Sequence, residues 1–464
     1  LVACEAGHLD DFPWVEYLHG DLPCTGTMRL IELGAGGRPN DLLLRCSCRR
    51  ERRLSHAFGE RSAPFLPPRC RGRHPHLNTF DSDCRLPPRT LLLGASNAWF
   101  PAQLSALSIP SREGELAQAI DERWARLERV KSVEMLEFAL EQIDDLARLR
   151  SLTEELGVDR VYEAIERRRD GLEDGDPEDL LTPEWRVLCD PASAPSSEDF
   201  QLRSVASPDD RRDEIAEVVL VERLREVSAL IGFTRLAAPE DLDGDARRAP
   251  LSRKDPTWLP CSEVRGEGIF LRLPEERVAR WEIAYRGSPA ARRLHRAHRA
   301  WRKRRGLPED DGWLGERYVL LHSLAHALIR ELALECGYTA SSIRERIYAS
   351  DGRERPPMAG LLLYTAAPDS EGTLGGLVSL GEPEQLGPLL RNALRRAQLC
   401  SSDPLCGEHD PVADGSVHGA ACHACQFASE TSCERGNRFL DRTALVTVLA
   451  ASDAAAGVPY FELG

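Results

Sequence analysis

Fourteen cysteines limit what this chain can fold into more than any other feature, because they are not spread along it. Six lie between Cys4 and Cys84, five lie between Cys400 and Cys433, and only Cys189, Cys261 and Cys336 fall elsewhere. No charged segment followed by an apolar run marks secretion, and no apolar run is long enough to span a bilayer. In such a chain clustered cysteines read as metal ligands or small buried residues rather than as disulfides. The three isolated ones read as inert core residues.

The densest stretch is GAACHACQFASETSCERGN, residues 419–437. Two residues separate Cys422 from Cys425, the spacing at which two thiolates grip one Zn²⁺ and leave the remaining ligands to come from elsewhere in the chain. Cys433 and one of Cys400 or Cys406 complete the set, Cys406 being taken as the fourth. Four thiolates leave no open coordination position, so the site would fold the C-terminal end and not catalyse. The competing reading is a chance cluster of buried cysteines. Near the other end, Cys46 and Cys48 with Cys70 and Cys84 form a second candidate zinc site, although one intervening residue is tighter than the usual knuckle. Cys4, His8, His19 and Cys24 form a third, against which His8 and His19 stand as hydrogen-bonding loop residues.

Two further motifs bear on catalysis. LHSLAHALIRE places His322 and His326 at i and i+4 on one helical face, as in a metalloprotease helix, but Ser323 stands where the general base would be. The alternative function of a metal-dependent hydrolase or nuclease rests on these two histidines. GTLGGL, residues 372–377, has the look of a phosphate cradle without the G-x4-G-K-[ST] lysine, and that motif occurs nowhere in the chain. The chain is therefore expected to be no enzyme.

Charge is uneven. The formal net charge is -15, yet RGSPAARRLHRAHRAWRKRRG, residues 286–306, holds no acidic residue. Arg292, Arg293, Arg296, Arg299, Arg302, Lys303, Arg304 and Arg305 could grip phosphates on a helix, with Trp301 available for stacking. The bland alternative is a solvated helix whose arginines pair with the protein's own acids.

The chain has 464 residues, 42% of them hydrophobic and 29% charged, enough to bury several cores. It begins at Leu1 and reads from there like the middle of a longer protein. The expected fold class is α+β: a mixed, helix-rich multidomain protein with loop-rich, zinc-stapled segments at both ends. Four parts are expected: a Cys-rich module over 1–110, a helical hairpin or insertion over 111–180, a mixed α/β region over 181–315 and a C-terminal domain over 316–464. Within them, EIAEVVLVERLREVSALIGFTRL reads as a long amphipathic helix, VRGEGIFLRL and MAGLLLYTA as strands, and GERYVLLHSLAHALIRELALECGY as an apolar helix closed by Gly337.

Seven stretches carry a resemblance: CEAGHLDDFPW, ASNAWFPAQLSALSIP, VERLREVSALIGFTRL, EVRGEGIFLRL, YVLLHSLAHALI, LYTAAPDSEGTLGGLV and GAACHACQFASETSCERGNRFLDR. In this order they resemble the DrmB proteins of the bacterial DISARM anti-phage system. The last third is also similar to the cysteine-bearing C-terminal domain of MrfA-type helicases. The resemblance implies a DNA-binding heterodimer with a DrmA-like superfamily 2 helicase and no established catalytic residue, and the lack of a secretion signal or apolar span adds the expectation of a cytoplasmic protein with no membrane association. Two features depart from the family: its members usually carry a further part before GHLDDFPW, and their first cysteine pair is more often C-x2-C.

Overall fold

The computed structural model describes the chain apart from residues 35, 37, 111, 171–178, 195, 240–247, 366–375, 430, 431, 450 and 464. Most of the acidic stretch at 170–180 and most of the GTLGGL loop lie outside the described residues. Two compact units emerge: Leu1–Ser105 with Ser228–Ser262, and Ala106–Val227 with Glu263–Gly464. The class is α+β, as expected, with cysteine-rich clusters in both units.

The first unit is built from short pieces. Val2–Ala3 pairs with Leu9–Asp10 and with Arg89–Thr90, and Leu42–Cys46 pairs with Met28–Glu32 and Glu51–Arg53. Its core is small, centred on Phe12, Tyr17, Leu18, Leu44 and Leu54. Arg52 lies 4.0 Å over the Phe65 ring, so even a charged side chain serves as cover.

The second unit is organised by a sheet whose strands, within that unit, run in the order 201–205, 217–227, 263–272, 358–365 and 343–350. Two of these strands, VRGEGIFLRL and MAGLLLYTA, were expected. The long strand Glu217–Thr234 corrects the expected amphipathic helix. Val218 and Leu220 pack into the large core on one face, while Val219 and Val221 pack into a second core on the other. A strand covered on both faces shows a continuous apolar run, which periodicity alone does not separate from a buried helix.

Helix Glu316–Cys336 crosses the first of those faces and is buried along most of its length, which explains its nearly all-round apolar sequence. It ends at Gly337, whose φ of 70° is the left-handed conformation expected of a C-cap. Helices Glu275–Arg286 and Pro383–Gln398 pack beside it. Over 112–169 the expected hairpin is instead a set of five short helices around their own core of Leu116, Ile120, Leu136, Leu149 and Ile165. Of the three isolated cysteines, Cys261 is exposed rather than core, and Cys189 and Cys336 are half-buried. Among the described residues no helix is long and apolar enough to cross a membrane.

Candidate metal centres

In the first unit, the hairpin that pairs Val2 with Asp10 brings Cys4 and His8 together across its turn, with Gly7 at φ 79° allowing the reversal. The Cys4 Sγ lies 3.3 Å from His8 Nδ1, 3.5 Å from Cys70 Sγ and 3.8 Å from Cys84 Sγ. On the far side of the His8 ring, Nε2 lies 3.6 Å from an Asp81 carboxylate oxygen. A second set forms where helix Trp14–His19 ends beside the strand end at Cys46. Cys24 and Cys46 are 3.7 Å apart, Cys48 Sγ is 4.0 Å from His19 Nδ1, and the Gly26 amide donates to Cys24.

In the second unit, Cys400, Cys406, Cys422 and Cys425 converge, with Sγ separations of 3.7 Å for Cys400 to Cys422, 3.8 Å for Cys406 to Cys425 and 3.6 Å for Cys422 to Cys425. The turn that delivers the last two is closed by the amides of Cys425, Gln426 and Phe427, all donating to the Cys422 carbonyl. Arg442, 1% exposed, donates to Cys406 Sγ at 2.9 Å and to the carbonyls of Ala397 and Ala420. A guanidinium there balances thiolate charge in a dry environment.

Next to it, His322, His326, Glu345 and Cys433 form a fourth set with no solvent exposure at either histidine. His322 Nε2 lies 3.2 Å from Cys433 Sγ and 3.0 Å from Glu345 Oε1, and His326 Nε2 lies 3.4 Å from the same oxygen. In each of the four sets the ligand atoms all lie within 4.8 Å of one another.

These distances can be set against what an ion requires. Zinc bonds of about 2.0 Å to nitrogen and about 2.3 Å to sulfur, at tetrahedral angles, hold ligand atoms apart by about 3.3 Å for two nitrogens and about 3.8 Å for two sulfurs. The separations given for the thiolate-rich sets lie within about 0.5 Å of what a tetrahedral zinc ion requires.

Proton affinities in the thiol sets follow the crowding. The bond to Cys406 holds Cys425 down at about 5, against burial, and the same contact together with burial drives Cys406 far up. The Cys4 thiol is lowered by its bond to Cys70, which is itself pushed up to about 12. Thiols this close must share protons; a dication in their midst would displace them all.

The site residues expected from sequence are all in clusters, but in different company. Cys46 and Cys48 do not join Cys70 and Cys84: the first pair sits with His19 and Cys24, the second with Cys4 and His8. Cys433 does not join Cys406, Cys422 and Cys425; Cys400 takes that place, and Cys433 faces His322. The pairs adjacent in sequence stay together, while the joining of pairs is set by strand topology, which spacing does not encode. Glu345 carries no sequence signal at all, lying in an ordinary strand stretch.

The basic helix Pro289–Arg304 starts as its sequence dictates, with the Ser288 hydroxyl accepting from the Ala291 amide and Pro289 in the first turn. Most of its cations are engaged within the protein. Arg293 donates to the carbonyls of Glu408, His409 and Ala454, Arg304 to that of Gly415, and Arg299 and Lys303 pair with Glu309. Arg302 is only 4% exposed, and Trp301 is buried in the large core with Arg305 stacked on it at 4.0 Å. Neither Arg302 nor Trp301 is therefore placed to meet DNA. Arg292 and Arg296 are exposed, in a cleft that also holds Glu408 and Asp410.

The DISARM protein DrmB of Bacillus paralicheniformis is 32% identical to this chain over 467 residues, covering 97% of the chain and 80% of that protein. The chain belongs to the DrmB family. Within this DrmB-family chain, the model of a domain of unknown function, DUF8724, matches residues 1–100, the span of both N-terminal clusters. The model of the MrfA Zn-binding domain matches residues 324–426, which hold the four-thiolate set but neither His322 nor Cys433. The crystal structure of the DUF1998 helicase MrfA bound to DNA overlaps 47% of this chain and 23% of its own length, at 10% identity and a TM-score of 0.23. That likeness is too distant to bear on the fold.

Proposed function

We propose that this DrmB-family chain serves anti-phage defence as a non-catalytic, zinc-stabilised subunit that pairs with a DrmA-like superfamily 2 helicase and contacts DNA. Similarity to a DISARM protein along nearly the whole chain carries the reading. The metal would be held by the four-thiolate set and by the two thiolate-histidine sets of the first unit, where zinc would supply folding free energy rather than chemistry. Arg296 and Arg292, the latter also donating to the Gly287 carbonyl at 2.6 Å, are the exposed members of the basic helix beside the cleft that this reading offers to phosphates.

The hydrolase alternative loses ground at His322 and His326. Both have no solvent exposure, and Ser323 between them accepts a hydrogen bond from the Asp441 amide instead of facing a substrate. Co-expression with a DrmA-like helicase tests the reading: a stable heterodimer with altered DNA affinity is expected, while the isolated chain hydrolyses neither ATP nor DNA. A chain that migrates alone in the presence of the helicase, or cleaves DNA by itself, defeats it.

A further inference from the structure

The second unit holds two convergent donor sets, and only one of them is a cysteine set. The other begins on helix Glu316–Cys336, where His322 and His326 stand one turn apart on the face turned toward strand Ile343–Ser350. Glu345, in that strand, points at both rings. Cys433 closes the set from the loop that follows the Cys422–Cys425 turn. We propose that His322, His326, Glu345 and Cys433 bind a divalent first-row transition metal ion, with zinc the best-fitting occupant, as a centre separate from the four-cysteine site. The proposal stands whether or not the helicase-partner reading does.

Three observations carry it. The first is the state of the His326 ring. Its Nδ1 lies 2.7 Å from the Gln426 carbonyl, which can only accept, so Nδ1 bears the proton and Nε2 of the neutral ring bears a lone pair. That Nε2 is buried in the centre of the cluster with no hydrogen-bond partner. A backbone carbonyl behind a ring whose other nitrogen is free is the arrangement that orients a metal-bound histidine.

The second is the sulfur. Cys433 Sγ accepts from the amides of Arg435 at 3.4 Å and Asn437 at 3.2 Å. Two N–H groups aimed at one sulfur suit a thiolate. The backbone that aims them is specified in the sequence: Gly436 and Asn437 adopt φ of 57° and 61°, which these two residue types tolerate best.

The third is charge and fit. A thiolate and a carboxylate with neutral imidazoles leave two negative charges at a place of no solvent exposure, and Glu345 Oε2 has no partner. A dication neutralises both. The nitrogen–sulfur separation of 3.2 Å and nitrogen–oxygen separations of 3.0 and 3.4 Å need shifts of only a few tenths of an ångström to match a tetrahedral ion. The alternative, two imidazolium rings facing a carboxylate and a thiolate, would turn the Nε2–H of both rings toward a single oxygen, Glu345 Oε1, at 3.0 and 3.4 Å. Four protein donors leave no open position, so the ion would bind the loop carrying Cys433 to the helix and strand and would not hydrolyse anything.

The test uses crystals of the purified wild-type chain and X-rays just above the zinc edge, where every first-row ion up to zinc scatters anomalously. A peak enclosed by the four side chains, as strong as the one at Cys400, Cys406, Cys422 and Cys425, is expected. A peak at the four cysteines with none at the histidines overturns the proposal. In solution, Glu345→Gln keeps the volume and removes the charge. Native mass spectrometry should then find one metal ion fewer per folded chain than in wild type; an unchanged count overturns the proposal as well. The diffraction result decides even if the variant does not fold.

Discussion

Among the described residues each of the two units carries two donor sets, but the units differ in what else holds them. The first has a core of nine buried residues among those described, whereas the large core of the second has 43. A core that small rarely stabilises a fold by itself, and metal commonly makes up the deficit. In the second unit the donors instead sit beside a large core, two of them on the buried central helix itself. Metal should therefore be required for folding in the first unit and local in the second.

The largest effect is expected from Cys70→Ser in the first unit. Losing a thiolate from the Cys4, His8, Cys70 and Cys84 set removes most of the ion's binding free energy, which is on the order of 10 kcal/mol in small zinc domains. Amides in residues 1–105 should lose hydrogen-exchange protection while those of helix Glu316–Cys336 keep theirs. Full protection in the first unit of the metal-free variant would erase the contrast drawn between the two units.

A smaller and more local effect should follow Cys425→Ser. Cobalt substitution reads it: the spectrum of a four-thiolate ion should vanish from this variant, yet persist in Cys433→Ser, because Cys433 belongs to the neighbouring set. Loss of that spectrum in both variants would return Cys433 to the cysteine site. The central helix should stay protected in either case, since its contacts are mostly with other helices and strands.

That pair of variants also marks where the sequence was legible. Cys422-x2-Cys425 announced a site, and so did Cys46-x-Cys48 and the Cys4-x3-His8 turn, because a local pair is a matter of spacing. Which pairs meet depends on the pairing of Met28 with Cys46 and of Val2 with Asp10, contacts made by strands too short to register as a pattern. The set at 19, 24, 46 and 48 is nested within the set at 4, 8, 70 and 84, so joining nearest neighbours in sequence was bound to exchange them. The helix at 316–336 was legible from its glycine stop and its length. The strand at 217–234 was not, because both of its faces are covered and its apolar run hides the twofold period. Glu345 was invisible, being one acid among 75.

Arg442 offers an intermediate test within the second unit. Its guanidinium reaches Cys406 and two carbonyls from a fully buried position. Arg442→Met keeps much of the stem but leaves a thiolate and two carbonyls unpaired, which should cost about 3–5 kcal/mol, as for other broken buried charge pairs. Denaturant midpoints measured in zinc-replete buffer check this. A loss below about 1 kcal/mol would mean that the four-cysteine site does not need the guanidinium's charge.

The smallest effect on stability is expected at the surface of the basic helix, where the two competing readings of its arginines can be separated. Arg302 is buried and Arg293 is held by three carbonyls, so reversing their charge would damage the fold and say nothing about DNA. Arg292 and Arg296 are exposed on the same helix, and replacing both with Glu should leave the melting temperature nearly unchanged. If they meet phosphates, DNA affinity of the helicase complex should fall, and the slope of log affinity against log salt should flatten by about 2, one for each lost contact. The acids facing them in the cleft, Glu408 and Asp410, give the comparison a control: Asp410→Asn should then tighten DNA binding slightly by removing a competing charge. An unchanged salt slope in the arginine double variant would assign this helix to the packing of the second unit alone.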